Sequence, residues 1–174
     1  AVIFGDARVF PRMRELLGDA AQDIQRRRQA LDVLVRGQDQ AAAGVLLADA
    51  VLLNPTLQGP AIRALAALGN DQVPGVLLGA WKSLDELARR DAVSTLVSRP
   101  AWTTALLEAM GAGRVATSEL HAYHVRQILA FNNEQLNALL KKHWGEVRMS
   151  SADRQQQIAD WKSRLTPQAL KSAH

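Results

Sequence analysis

The chain has 174 residues, 48% of them hydrophobic, which suits a folded domain with a substantial core. The formal net charge is +4 and the sequence pI about 10.0, a mild basic excess that keeps nucleic acid and acidic proteins among the candidate partners. The absence of cysteine excludes disulfides, a zinc–thiolate site, a cysteine nucleophile and covalently attached c-type haem within these residues, and the sequence contains no run of about 18 apolar residues that would predict a membrane span.

Helical periodicity runs through almost the whole sequence, which predicts an all-α fold. Gly37 and Gly69 each follow an apolar stripe, and Pro100 suits the first position of a helix. Short helices with connections of about 2–6 residues are typical of stacked antiparallel helix pairs. The predicted helices span residues 20–36, 40–53, 58–68, 71–81, 84–97, 100–110, 117–131 and 132–144.

A short apolar motif, Ala-Leu-x-x-Leu, recurs along these helices. Its copies begin at Ala30 and Ala64, then at Ala92 with valine in the second place, and more loosely at Ile128. The spacings of 28 to 36 residues fit a two-helix unit a little shorter than a standard HEAT repeat. We therefore predict a HEAT-like α-solenoid of antiparallel helix pairs over residues 1–131, with an irregular helical bundle as the alternative.

The last part of the chain, residues 132–174, has a different pattern. Its first helix is amphipathic through Leu136 and Trp144, and Asn132 with Gln135 resembles a capping box. Beyond that helix the apolar stripe is sparse. We predict C-terminal helices that pack on the solenoid and lead to a following domain. Because the chain begins without methionine and without a secretory pattern, we also expect it to be a piece of a longer protein.

Three histidines are the strongest candidates for a metal site. His121 and His124 stand one helical turn apart, a spacing that suits two metal ligands, and His143 follows on the next predicted helix. However, His124 shares its stripe with Ile128 and Phe131, and no carboxylate lies three or four residues after either of the first two histidines. Packing in the core is the favoured interpretation, and a metal site at His121 and His124 is the alternative.

The sequence contains no recognisable catalytic arrangement. Ser94 and Ser118 lack the glycine-flanked elbow of a hydrolase nucleophile. Gly111 and Gly113 lack the remaining spacing of a phosphate-binding loop and follow no predicted strand. We expect no catalytic residue, no bound cofactor and no enzymatic activity in this chain.

The tryptophans are candidates for an interface. Each is interpreted first as a core residue between helix layers and otherwise as an exposed anchor for a partner protein. They are Trp81, Trp102, Trp144 and Trp161.

Residues 117–174 resemble a known family. The most specific signature is His143-Trp144-Gly145, and residues 1–116 fit the family only in their repeat character. The stretches that carry the resemblance are Tyr123-His124-Val125-Arg126-Gln127-Ile128-Leu129 and Leu136-Asn137-Ala138-Leu139-Leu140-Lys141-Lys142-His143-Trp144-Gly145-Glu146-Val147-Arg148. They resemble the PVC-type haem-binding proteins, large exported proteins that are often labelled membrane-bound dehydrogenases.

In that family a HEAT-like region lies between a sugar-dehydrogenase-like β-propeller and a c-type cytochrome module with a Cys-x-x-Cys-His motif. The resemblance implies that this chain is the part just before the cytochrome, in an exported, periplasmic parent protein. It also implies a c-type haem downstream in that parent. Neither the propeller nor the haem motif is present here, so no haem-binding or catalytic residue is carried over.

Two hypotheses for the function follow. The leading one is a non-catalytic helical-repeat scaffold for protein interaction, whose partners are adjacent domains of the parent chain or another protein. The alternative is a HEAT-like domain that grips nucleic acid through a basic concave face. The arginines that would form that face are Arg26, Arg27, Arg28, Arg36, Arg63, Arg89 and Arg90.

Overall fold

The structure is a computed structural model and describes residues 7–144. In that range all regular structure is helical and no β-strand occurs, which confirms the all-α prediction for these residues. The α-helices are α1 (Phe10–Gly18), α2 (Ile24–Arg36), α3 (Ala43–Leu46), α4 (Asp49–Leu52), α5 (Gln58–Leu68), α6 (Val73–Gly79), α7 (Glu86–Leu96), α8 (Pro100–Gly111), α9 (Ala122–Leu129) and α10 (Glu134–Trp144). Short 3-10 helices occupy Ala7–Val9, Gln40–Ala42, Trp81–Ser83 and Thr117–Glu119.

Several helix ends follow local signals in the sequence. α2 begins after Asp23, whose carboxylate accepts the backbone N–H groups of Gln25 and Arg26 at 3.0 and 3.2 Å. α7 begins after Asp85, which accepts the N–H group of Ala88 at 2.8 Å. α5 has its predicted bounds, and the glycine that follows it has a φ of 67°, a backbone conformation that favours glycine.

The helix predicted over 40–53 is broken in the structure into a 3-10 helix, α3 and α4. The break lies at Ala48, whose backbone is extended with a ψ of 146°. A straight helix would spread the large apolar side chains of this stretch over about two thirds of its circumference, so it could not bury them all against one neighbour. The bend buries Leu46, Leu47, Val51 and Leu52, while Leu53 stays 46% exposed.

The helix predicted over 117–131 is also shorter than expected. The backbone of His121 is extended, with a ψ of 162°, so α9 begins only after it. In the following connection the predicted capping box of Asn132 with Gln135 is wrong. The side chain of Asn133 accepts the N–H group of Leu136 at 3.1 Å instead.

Helix α1 is not among the predicted helices, because its apolar stripe is too short to predict a helix.

The helices pack mainly against partners two places away in the chain. α5 packs against α7, α6 against α8, and α8 against α10, while α1 pairs with α2 and α9 with α10. The core between them is apolar and closed to solvent, as the fully buried side chains of Ile62, Leu65 and Leu96 illustrate. Alternate helices therefore lie side by side for α5 and α7, α6 and α8, and α8 and α10, whereas α1 with α2 and α9 with α10 pack as chain neighbours.

The contacts place α10 in the same compact unit as the preceding helices. The predicted division between residues 131 and 132 stays a prediction, since most of the predicted C-terminal part lies outside the described residues. None of the described helices has both the length and the apolar character that a membrane crossing requires.

Candidate functional site

His124 lies at the start of α9 and is buried, with 1% of its surface exposed. Its Nδ1 atom accepts the backbone N–H group of His121 at 3.2 Å. Its Nε2 atom lies 3.2 Å from the Oγ atom of Ser94 on α7. Because a neutral imidazole has one N–H group and one acceptor nitrogen, the proton is on Nε2 and is donated to the serine. Burial, and then the neighbouring charge of His121, lower the pKa of His124 to about 4.

This geometry does not activate the serine. A general base must present a free nitrogen lone pair to the hydroxyl group, whereas Nε2 of His124 presents a proton to Ser94. The low pKa further weakens His124 as a base near neutral pH. The pair can bind two helices together, but it cannot act as a nucleophile with its base.

Both ring nitrogens of His124 take part in hydrogen bonds, so neither has a lone pair free to bind a metal. His121 is exposed and its ring stacks on that of His124 with the centroids 5.8 Å apart. His143 lies against Gly111 of α8, so closely that a side chain at Gly111 would meet the imidazole. Among residues 7–144, no group of three or more His, Cys, Asp or Glu side chains is placed to hold a metal ion.

The described tryptophans are largely enclosed by the protein. Trp81 and Trp102 are 5% and 4% exposed, so little of either ring is available to a partner. The guanidinium group of Arg99 lies over the Trp102 ring, 4.9 Å from its centroid. Trp144 is half-buried, and its Nε1–H group donates to the carbonyl oxygen of Leu120 at 3.1 Å. Trp161 lies outside the described residues.

Of the seven arginines proposed for a basic face, Arg27 does not reach the surface. Arg27 is buried, and its guanidinium donates to the carbonyl oxygens of Leu17 at 2.9 Å and Ala50 at 2.6 Å. It therefore satisfies carbonyl groups at α1 and α4 and adds no charge to the surface. This burial could not be read from the sequence, where Arg27 stands inside a run of three arginines.

Three more of these arginines bind acceptors within the protein. Arg63 forms an ion pair with Asp91, and Arg90 pairs with the glutamate one turn earlier on α7. Arg89 donates to the carbonyl oxygen of Leu84 at 3.0 Å and lies 3.9 Å from a carboxylate oxygen of Glu119. The structure gives no observation that favours nucleic acid over other partners.

A set of long-range hydrogen bonds between helices was not foreseen from the sequence. Each joins two residues 27 to 33 positions apart through at least one side chain; four of the five connect α5 with residues 85–99, and the fifth connects α7 with α9. The pairs, with their separations in the chain, are Gln58–Asp85 (27 residues), Arg63–Asp91 (28), Ser94–His124 (30), Ile62–Thr95 (33) and Ala66–Arg99 (33). The signal in the sequence that could have predicted these bonds is the motif spacing of 28 to 36 residues. That spacing indicates which turns of alternate helices lie opposite each other.

A shallow groove of about 330 Å³ lies between the end of α2 and α5. Val35 and Leu68 supply apolar lining, while Gln38 and Gln40 place amide groups at it. Elsewhere Leu87 on α7 is 70% exposed, the most exposed of the large apolar side chains in the described residues. These surfaces are compatible with binding another protein, and their chemistry is neither acidic nor basic.

No family model, no curated protein and no solved structure matches this chain, so the resemblance of residues 123–129 and 136–148 to the PVC-type haem-binding proteins stays a prediction.

Proposed function

We propose that the chain is a non-catalytic, HEAT-like helical-repeat scaffold that holds its neighbours at a defined spacing. The observation that carries this proposal is the set of side-chain bonds between residues 27 to 33 apart. In a solenoid each repeat contacts only its neighbours, so bonds between layers recur at about the repeat length. Four of the five separations lie within the motif spacing of 28 to 36 residues, and the fifth, 27, is one residue shorter.

The packing of alternate helices supports the same architecture. Contacts of α5 with α7, and of α6 with α8 and then α10, are those expected when helix pairs stack in two rows. An irregular bundle has no reason to keep one offset over successive helices. The short helices α3 and α4, in the first half of the described residues, depart from this pattern.

A spacer must resist bending, and buried polar bonds between layers give that resistance. The hydroxyl group of Thr95 donates to the carbonyl oxygen of Ile62 at 3.0 Å inside the core. Shifting α7 along α5 would take this acceptor from the Thr95 hydroxyl in a place that water does not reach, and an unsatisfied buried donor costs about 1–3 kcal/mol. Such bonds set the register of one layer on the next.

The parent protein is proposed from the resemblance alone. The chain would stand between a β-propeller and a c-type cytochrome module of a larger exported oxidoreductase-like protein in the periplasm. Its partners would then be the adjacent domains of that chain or another protein. Any haem would belong to the following module, because this sequence has no cysteine to attach it.

Distance measurement tests the spacer role. The sequence has no cysteine, so a pair introduced at exposed glutamines, Gln29→Cys on α2 and Gln135→Cys on α10, can carry two spin labels specifically. Pulsed electron spin resonance should give one narrow distance distribution. A second pair within one helix, Gln25→Cys with Arg36→Cys near the two ends of α2, controls for the motion of the labels. A distribution between α2 and α10 much broader than the control would reject a rigid spacer.

Sequencing of the coding region tests the parent architecture separately. A Cys-x-x-Cys-His motif encoded within a few tens of residues after His174 is expected. A long downstream sequence without that motif would remove the cytochrome part of the proposal and leave the scaffold part standing.

A further inference from the structure

The start of α9 is joined to α7 through one buried imidazole. His124 accepts a backbone N–H group of His121 on one side and donates to the hydroxyl group of Ser94 on the other. The first bond occupies an N–H group at the beginning of the helix, where the helix itself supplies no acceptor. The second crosses to the neighbouring helix. The two bonds form together only when the ring is neutral with its proton on Nε2, because an imidazolium keeps the bond to Ser94 but cannot accept the N–H group of His121.

Protonation of His124 would disrupt the first bond directly. An imidazolium has N–H groups on both nitrogens, so Nδ1–H would face the N–H group of His121 with no acceptor between them. The new charge would also be buried, with Ser94 Oγ as its identified acceptor. Finally, the charge would sit in the first turn of α9, at the positive end of the helix dipole. These three effects all oppose the protonated form.

The charged surroundings offer little compensation. His121, the group that acts on His124 through its charge, is itself a base and disfavours a second positive charge. The 3-10 helix before α9 carries Glu119, whose carboxylate is shared with Arg89. The other titratable or charged groups on α7, α9 and α10 around this region are Arg90, Asp91, Tyr123, Arg126, Glu134, Lys141, Lys142 and His143.

We infer that His124 is an acid-sensitive latch, whose protonation releases the start of α9 from α7 while α5, α7 and α8 stay packed. The release is local because the neighbouring interface between α5 and α7 contains a buried bond, Thr95 to Ile62, between groups that do not titrate. α10 also packs against α8 and so keeps a second support. The low pKa of His124, about 4, agrees with a latch that is closed at neutral pH.

Hydrogen exchange and nitrogen NMR on the full chain test the latch. At neutral pH the ring of His124 should show a protonated Nε2 and an unprotonated Nδ1. Between pH 7 and pH 4, amide exchange in α9, corrected for its intrinsic pH dependence, should accelerate about a hundredfold, because the open form binds the proton more tightly. Exchange in α5 and α7 should change far less over the same range.

Two variants separate the latch from general acid unfolding. His124→Gln cannot titrate, so its α9 exchange should lose the pH dependence. His121→Gln keeps the latch, so its α9 exchange should retain the pH dependence, with a midpoint at slightly higher pH. If His124→Gln does not fold, the NMR titration of the unmodified chain decides. A midpoint near the ordinary value of 6.5, a proton on Nδ1, or equal acceleration in all the helices would overturn the inference.

Discussion

Two neighbouring interfaces in this protein are built from different chemistry. Between α5 and α7, the Thr95 hydroxyl bonds to the Ile62 carbonyl in the core and Arg63 pairs with Asp91 at the surface. Between α7 and α9, the corresponding link is Ser94 with the buried imidazole of His124. The two links span 33 and 30 residues of chain, so in the proposed solenoid they would occupy the same place in successive layers. The first link contains no group that titrates, and the second contains a titratable ring.

If the helices stack as proposed, regular stacking does not require identical contacts. The offset between the bonded residues is similar at the two interfaces, while the side chains that make the bonds differ. A repeat protein can therefore keep its geometry and still place a titratable group at one chosen interface. The predictions that follow break one interface or the other.

The largest effect is expected for Leu65→Asp. Leu65 is fully buried on α5, so the variant would place an unpaired carboxylate in the core. We expect a loss on the order of 4–5 kcal/mol, enough to unfold a domain of ordinary stability. Far-UV circular dichroism and urea denaturation measure it. Ala67→Asp on the exposed side of the same helix is the matched control and should stay folded. Equal stability of the two variants would contradict the proposed stacking of α5.

A smaller loss of stability is expected when the pH is lowered. The pKa of His124 in the folded chain is about 4, below the ordinary value of 6.5, so the unfolded chain binds the proton more tightly. The stability that the neutral ring contributes is full above about pH 6.5 and is lost as the pH falls toward 4. The shift corresponds to about 3 kcal/mol. Urea midpoints of the unmodified chain and His124→Gln across this range should converge at acid pH. Parallel curves for the two proteins would show that another group is responsible.

Thr95→Val tests the link between α5 and α7 that contains no titratable group. The valine keeps the shape of the side chain but removes the hydroxyl donor to the Ile62 carbonyl. We expect a loss of about 1–2 kcal/mol that is the same at pH 7 and pH 5. Thermal unfolding at both values measures it. A loss that grew at the lower pH would mean that the Thr95 link is coupled to a group that titrates.

The smallest effect is expected for Arg90→Ala, which removes the pair with Glu86 on α7. Both side chains are mostly exposed to solvent, and pairs of this kind contribute about 0.3–0.5 kcal/mol. The change in the urea midpoint should be close to the error of the measurement. A large destabilisation would show that Arg90 supports the α7–α9 interface rather than the surface alone.

The start of α9 separates what could be predicted about the candidate site from what could not. The burial of His124 follows from its place on the stripe of Ile128, and this is visible in the sequence. Its partner Ser94 is not, because the two residues are 30 apart and nothing local selects that serine. Arg27 is the opposite case, since a residue from a charged run became buried by binding carbonyl groups of α1 and α4.

Local chemistry by itself determined the helical class and many helix ends. Asp23 and Asp85 cap their helices with bonds that span two or three residues, and a glycine follows α5 in a conformation that favours it. Such signals act within one turn, so they can be read along the chain. The tertiary structure decided the bend at Ala48, the burial of Arg27 and the proton position on His124. Each of these depends on groups on another element, and their free energy exists only once the helices have packed.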